Sequence, residues 1–143
     1  MVDTNVLLYA ANHMAPEHRK CQKLVEGWRQ QAAPWHLTWG NVYEFLRVAT
    51  HPHALERPFT MRESWRFLKP LLAAPGLEML VETERHAAVA AEVFAEGKGL
   101  SGNRVFDTRT AVLMREHGVR RIVTRDTDFH RFPFVEVVDP LAG

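Results

Sequence analysis

The stretch Val105-Phe106-Asp107-Thr108-Arg109-Thr110-Ala111-Val112-Leu113-Met114-Arg115-Glu116-His117-Gly118, continued by Val119-Arg120-Arg121-Ile122-Val123-Thr124-Arg125-Asp126-Thr127-Asp128-Phe129, decides the fold. Its first half reads as a helix with an acid in the first turn, followed by apolar residues at Ala111, Leu113 and Met114. Gly118 stops that helix, just past a last turn holding Arg115 and His117. Arg121 to Thr124 is short and β-prone. Asp126 falls where that strand stops, and α/β proteins build their sites in the crevice beyond the carboxyl ends of strands. Two carboxylates placed this way point to a divalent cation.

The totals narrow the classes. A length of 143 residues predicts one domain spanning 1–143, and 46% hydrophobic residues suffice for a core. A net charge of +1 excludes a whole-chain field that gathers nucleic acid or membrane, so any basic surface is local. Cys21 is the only cysteine, which excludes an intrachain disulfide and fits a reducing cytoplasm. The short apolar start, interrupted by Asp3, is not a signal peptide, and no apolar run is long enough to span a membrane. Only five of the acids are Asp, and four of those five fall beside expected strand ends or helix starts. Asp favours caps, turns and sites, whereas Glu favours helix surfaces, so this distribution suits a site.

Outward from the core stretch, Asp3 precedes the helical run Thr4-Asn5-Val6-Leu7-Leu8-Tyr9. It reads either as an N-cap or as a carboxylate at the end of a very short first strand, and the two are compatible. A second helix is expected from Pro16 to Gln31. His36-Leu37-Thr38 is a strand candidate, with Thr38 capping a helix from Trp39 to about Thr50 whose buried face is Val42, Phe45, Leu46 and Ala49. On that helix Glu44 either pairs with Arg47 three residues on or points inward at the acids. His51-Pro52-His53 lacks zinc-site spacing. Thr60 to Glu63 is a capping box for a helix to about Ala73, with Trp65, Leu68 and Leu72 in the core. Leu77 to Glu82 reads as a strand. Thr83 caps a helix to about Glu96 that buries Ala87, Ala90, Ala91 and Phe94. Gly97-Lys98-Gly99 lacks phosphate-loop spacing. Phe134 to Val138 is the last strand. The order β-α-α-β-α-α-β-α-α-β-β predicts a mostly parallel, short-stranded sheet in a three-layer α/β/α sandwich.

If Asp3, Glu44, Asp107 and Asp126 converge, each raises the pKa of its neighbours, and a hard cation such as Mg²⁺ or Mn²⁺ relieves the crowding. Such a site hydrolyses phosphodiesters, leaving a 5′-phosphate and a 3′-hydroxyl, with no His or Lys needed as base.

Asp3-Thr4-Asn5-Val6-Leu7-Leu8-Tyr9, Glu44 with Leu46-Arg47, Phe106-Asp107 and Thr124-Arg125-Asp126-Thr127-Asp128-Phe129 together resemble the PIN-domain nucleases, in particular the VapC toxins of bacterial toxin–antitoxin pairs. The resemblance spans the chain, with the motifs in order. It implies a PIN-like sandwich, usually dimeric. It also implies a Mg²⁺- or Mn²⁺-dependent endoribonuclease for structured RNA such as transfer or ribosomal RNA, and a cognate VapB-like antitoxin that blocks the site. By the same resemblance Asp3, Glu44, Asp107 and Asp126 are catalytic and hold the metal, with Asp128 as an auxiliary acid and Thr124 orienting an acid. Two departures stand out. Only Met1 and Val2 precede Asp3, so the first strand is stunted or the chain starts late. Thr108-Arg109 replaces the small or His-containing pair common after the third acid. Thr4, Asn5, Arg47, Arg109, Thr124 and Arg125 are expected around the acids or against RNA. Arg104, Arg109, Arg125 and Arg131 bracket them, and Trp35, Trp39 or His130 are candidates for stacking a base.

Three rival readings remain open from the residues alone. A phosphatase with an aspartate nucleophile wants a second Asp two residues on, where Asn5 stands instead. An idle RNA- or protein-binding module would not need the full acid set. A housekeeping nuclease of RNA maturation differs from a toxin only by genomic context.

Overall fold

The structure is a computed structural model and describes residues 1–142; Gly143, the end of the expected domain, lies outside the described residues. Among the described residues six helices, in pairs, are interleaved with four three-residue strands: α1 (Thr4–Ala11), α2 (His18–Gln30), β1 (Trp35–Leu37), α3 (Trp39–Ala49), α4 (Met61–Leu72), β2 (Leu77–Met79), α5 (His86–Glu96), α6 (Arg104–Glu116), β3 (Arg121–Val123) and β4 (Glu136–Val138), with a 3₁₀ turn at Thr127–Arg131 between the last two strands. β1 pairs in parallel with β2, and β3 in parallel with β4. The expected first strand is reduced to one residue, Val2, which bridges Val123 in parallel. Its amide donates to the His36 carbonyl at 3.0 Å, while the Asp3 amide donates to the Val123 carbonyl at 3.0 Å. The amino-terminal segment thus joins the two strand pairs, in the spatial order β2, β1, Val2, β3, β4.

Side chains alternate across this sheet, as the two-residue strand period requires. Val2, Trp35 and Leu37 pack with α1 to α4, around Leu7, Phe45 and Leu68. Met1 and Ile122 pack on the opposite face with α5, α6 and the 3₁₀ turn, around Val93, Leu113, Met114 and Phe129. The three-layer α/β/α sandwich follows from these two cores.

The local signals explain most boundaries. Gly118, at φ +69°, ends α6: its amide reaches the Arg115 carbonyl and the Val119 amide reaches the Met114 carbonyl, the double bond of a Schellman stop. Thr60 and Glu63 cap α4 reciprocally. Val42, Phe45, Leu46 and Ala49 form the buried face of α3, as the periodicity predicts.

α6 begins at Arg104 and carries Asp107 in its first turn, as the sequence predicts. Other expectations are corrected. Leu77 to Glu82 holds strand geometry only to Met79, and the last strand begins at Glu136, not Phe134. Thr83 stands two residues before the N-cap, Arg85: its hydroxyl accepts from the Arg85 amide and donates to the Glu116 carboxylate. α5 buries Val89 and Val93, leaving Phe94 exposed, because those two valines present the larger apolar stripe at i, i+4. Trp65 is likewise exposed, and Leu68 and Leu71 carry that contact. Among the described residues, no helix is long and apolar enough to cross a membrane.

Candidate metal centre

Asp3 leaves the sheet at Val2 and enters α1, so one residue is both strand end and N-cap. Its Oδ1 accepts from the Thr4 amide at 2.8 Å. Its Oδ2 accepts from the Thr124 hydroxyl at 2.7 Å and from Asn5 Nδ2 at 3.3 Å. Thr124 follows β3, and its hydroxyl is used in full. It donates to Asp3 and accepts from the Asp126 amide at 2.9 Å and from Asn5 Nδ2 at 3.1 Å. The loop after β3 is thereby tied to the loop before α1. Asp126 caps the 3₁₀ turn, its Oδ1 accepting from the Asp128 amide at 2.8 Å. That turn swings Asp128 back toward α6, where Arg131 holds its Oδ1 at 3.4 Å.

α6 brings Asp107 to the same place. Carboxylate oxygens of Asp107, Asp126 and Asp128 lie within 4.8 Å of one another. Asp3 and Glu44 stand outside that tight group but within its field. Burial pushes the Asp3 carboxyl up to about 6; the Thr124 and Thr4 hydrogen bonds oppose the rise, and Glu44 and Asp126 add to it. Burial also raises Asp107 to about 6, reinforced by Asp126, Asp3 and Asp128 and opposed by Arg131. Glu44 faces solvent on the wall of the cleft, yet its pKa is raised by partial desolvation, then by Asp107 and Asp126, against Arg47. Among the described residues Arg47 makes no ion pair, so the surface salt bridge with Glu44 is not formed.

Every donor in this group is a carboxylate oxygen, without Cys or His, and the group holds more negative charge than it neutralises. That chemistry fits a hard divalent cation such as Mg²⁺ or Mn²⁺ and not zinc.

The flanking residues divide. Thr4 is buried: its hydroxyl accepts from Asn41 Nδ2 at 3.0 Å, so it serves α3 and cannot meet RNA. Asn5 braces Asp3 and Thr124. Arg125 pairs with Glu17 at 3.1 Å and Asp139 at 3.7 Å. Arg109 pairs with Glu82 at 3.0 Å. Arg104 donates to the Gly99 carbonyl. Trp35 is core, 4% exposed, which removes it as a base-stacking candidate; Trp39 and His130 remain accessible.

The sequence reading missed Asn41. Its Oδ1 accepts from the Thr38 hydroxyl and amide, completing a capping box, while its Nδ2 reaches Thr4. One side chain thus fixes α3 against α1, and with it Glu44 against Asp3. Thr38-x-x-Asn41 has capping-box spacing with Asn in place of Glu or Gln, and that was its only trace in the sequence. Also missed were Tyr43 and Phe106, which stand immediately before Glu44 and Asp107 and line a cleft with them.

A family model described as PIN domain matches residues 1–135. Ribonuclease VapC48 of Mycobacterium tuberculosis is 30% identical over 141 residues, covering 99% of this chain and 97% of its own. Ribonuclease VapC37 of the same species is 32% identical over 142 residues, covering 99% and 97%. VapC ribonuclease Mb2897 of Mycobacterium bovis is 30% identical over 142 residues, covering 99% and 95%.

Proposed function

We propose a function from the premise that this chain belongs to the PIN domain family: it is an endoribonuclease and the toxin of a toxin–antitoxin pair. The names of its relatives support the ribonuclease reading. The observation that carries the chemistry is the meeting of Asp107, Asp126 and Asp128 oxygens within 4.8 Å, beside an Asp3 and a Glu44 whose pKa values are raised. Asp3, Glu44, Asp107 and Asp126 are the catalytic and metal-holding acids, with Asp128 auxiliary, and the ion is Mg²⁺ or Mn²⁺. Residues 1–143 act as one nuclease domain on structured RNA such as transfer or ribosomal RNA. The protein works in the cytoplasm as a homodimer, held in check by a VapB-like antitoxin seated over the acids.

A divalent cation there supplies charge neutralisation for the acids and the phosphodiester, and lowers the pKa of an attacking water. The chain's own residues set the rest. Thr124 and the Thr4 amide hold the two oxygens of Asp3 in one orientation, and Thr124 anchors the Asp126 main chain. Arg131 restrains Asp128. With a pKa near 6, Asp3 and Asp107 are mostly deprotonated at neutral pH, ready to bind metal and orient water.

The test is cleavage of end-labelled structured RNA by purified protein in Mg²⁺, Mn²⁺ or EDTA. Metal-dependent cuts bearing 5′-phosphates, abolished by Asp107→Asn, are expected. Cleavage that persists in EDTA or in Asp107→Asn would overturn the reading, as would inert protein in both metals.

A further inference from the structure

The cleft beside the acids has an unusual lining. It encloses about 740 Å³, between the first half of α3 and the start of α6. Each wall carries an exposed aromatic ring directly before its acid: Tyr43, 69% exposed, before Glu44, and Phe106, 70% exposed, before Asp107. Trp39, 43% exposed, lies one helical turn from Tyr43 on the same wall. Large rings this exposed lose hydrophobic stabilisation unless something covers them. Arg47 continues the α3 wall, and Arg109 ties the walls together. Its guanidinium lies so close to Gly40 that a Cβ there would meet Nη1 at 2.4 Å, while its Nη2 bonds Glu82.

We propose that Tyr43 and Phe106, with Trp39 beside them and Arg47 at the edge, receive an unpaired RNA base next to the scissile phosphate. This rests on the ribonuclease reading above and names the part of the substrate it selects. Each ring sits among polar groups, Glu44, Arg47, Asn103 and Asp107. A nucleotide matches that mixture: its base presents a flat π face, its edges carry donors and acceptors, and its phosphate suits Arg47. A base inside a duplex is already stacked and does not reach the rings; a base in a loop does.

The test is equilibrium binding in EDTA, where no cleavage occurs, of a fluorescein-labelled hairpin with an unpaired loop and of a fully paired duplex of equal length. Wild type should prefer the hairpin. Tyr43→Ala and Phe106→Ala should each weaken hairpin binding roughly 5-fold or more and leave duplex binding unchanged. Tyr43→Phe and Phe106→Tyr should restore it. Circular dichroism confirms folding, since neither ring is in the core. Hairpin RNA should also change the fluorescence contributed by Trp39, read as the difference from Trp39→Phe. Alanine variants that bind both RNAs like wild type, while wild type still cleaves with metal, overturn this proposal and spare the nuclease. Wild type that neither binds nor cleaves RNA overturns both. Variants whose oligomeric mass changes in sedimentation with hairpin affinity intact assign the rings to a protein interface and overturn the proposal.

Discussion

Replacing Thr124 with valine tests the frame of the site without touching a charge. Valine keeps the shape of this buried side chain, 1% exposed, and removes three hydrogen bonds at once. The bond to the Asp3 carboxylate is charge-assisted, in a class worth about 1.5–3 kcal/mol. The Asp126 amide also loses its acceptor, at a cost of about 1–3 kcal/mol if nothing replaces it. Asp3 keeps the Thr4 amide and Asn5, so the effects overlap, and we expect roughly 2–4 kcal/mol in total. For a chain of this size that lowers Tm by on the order of 10 °C. The Asp3 pKa, already about 6 because of burial, rises further without the hydroxyl. Protons then compete with metal at neutral pH, and Mn²⁺ affinity should fall about 10- to 100-fold, a loss that shrinks as pH is raised to 8. Urea unfolding gives the stability and calorimetric Mn²⁺ titration gives the affinity, with Thr124→Ser as the control that keeps the hydroxyl. A valine variant matching wild type in both refutes the bracing role assigned to this residue.

Asp107→Asn should abolish cleavage yet raise the Tm of metal-free protein at pH 7.5. The folded pKa of Asp107 lies above its unfolded value of 3.8, so its charge destabilises the fold above about pH 6 and that penalty disappears as pH falls; melts in EDTA at pH 5 and 7.5 check the sign. Glu116 behaves oppositely. Burial alone would raise its carboxyl, but the Thr83 and His86 hydrogen bonds outweigh it and hold the group at about 2. Its contribution is complete above about pH 4.5 and is lost as pH falls toward 2, so Glu116→Gln should flatten acid unfolding over that window. Phe45→Ala should cost about 3–5 kcal/mol in urea unfolding, because the ring is fully buried and stacked on Phe67 at 5.1 Å. It should also depress cleavage by loosening the helix that carries Glu44.

What the sequence made legible was mostly local. Gly118, Thr38 and Thr60 announce helix ends through their own backbone preferences, and Asp126 announces itself by following a β-prone run. Helix faces were harder. Phe94 and Trp65 look like core residues by type, but which side of a helix is buried depends on the neighbour it meets. In α5 the Val89–Val93 pair won over a run of alanines. The frame of the site was least legible. Asn41 acts through Thr4, which is 37 residues away, and Thr124 acts through Asp3, 121 residues away. No local period encodes such pairings. Tyr43 falls off the buried face of its helix and Phe106 reads only as the neighbour of an acid; that the two rings line one cleft depends on how α3 meets α6.

The seam at Val2 has a mechanical consequence. Main-chain bonds link the amino-terminal segment to His36 on one side and to Val123 on the other. Glu44 rides with the first half, Asp126 and Asp128 with the second, and Asp3 sits on the joint. A cation shared among them, as proposed above, would act as a rivet across the two halves, so the Val2 and Val123 amides should exchange with deuterium far more slowly once it is in place. The breathing of the sheet's centre would then report directly on whether the enzyme is armed.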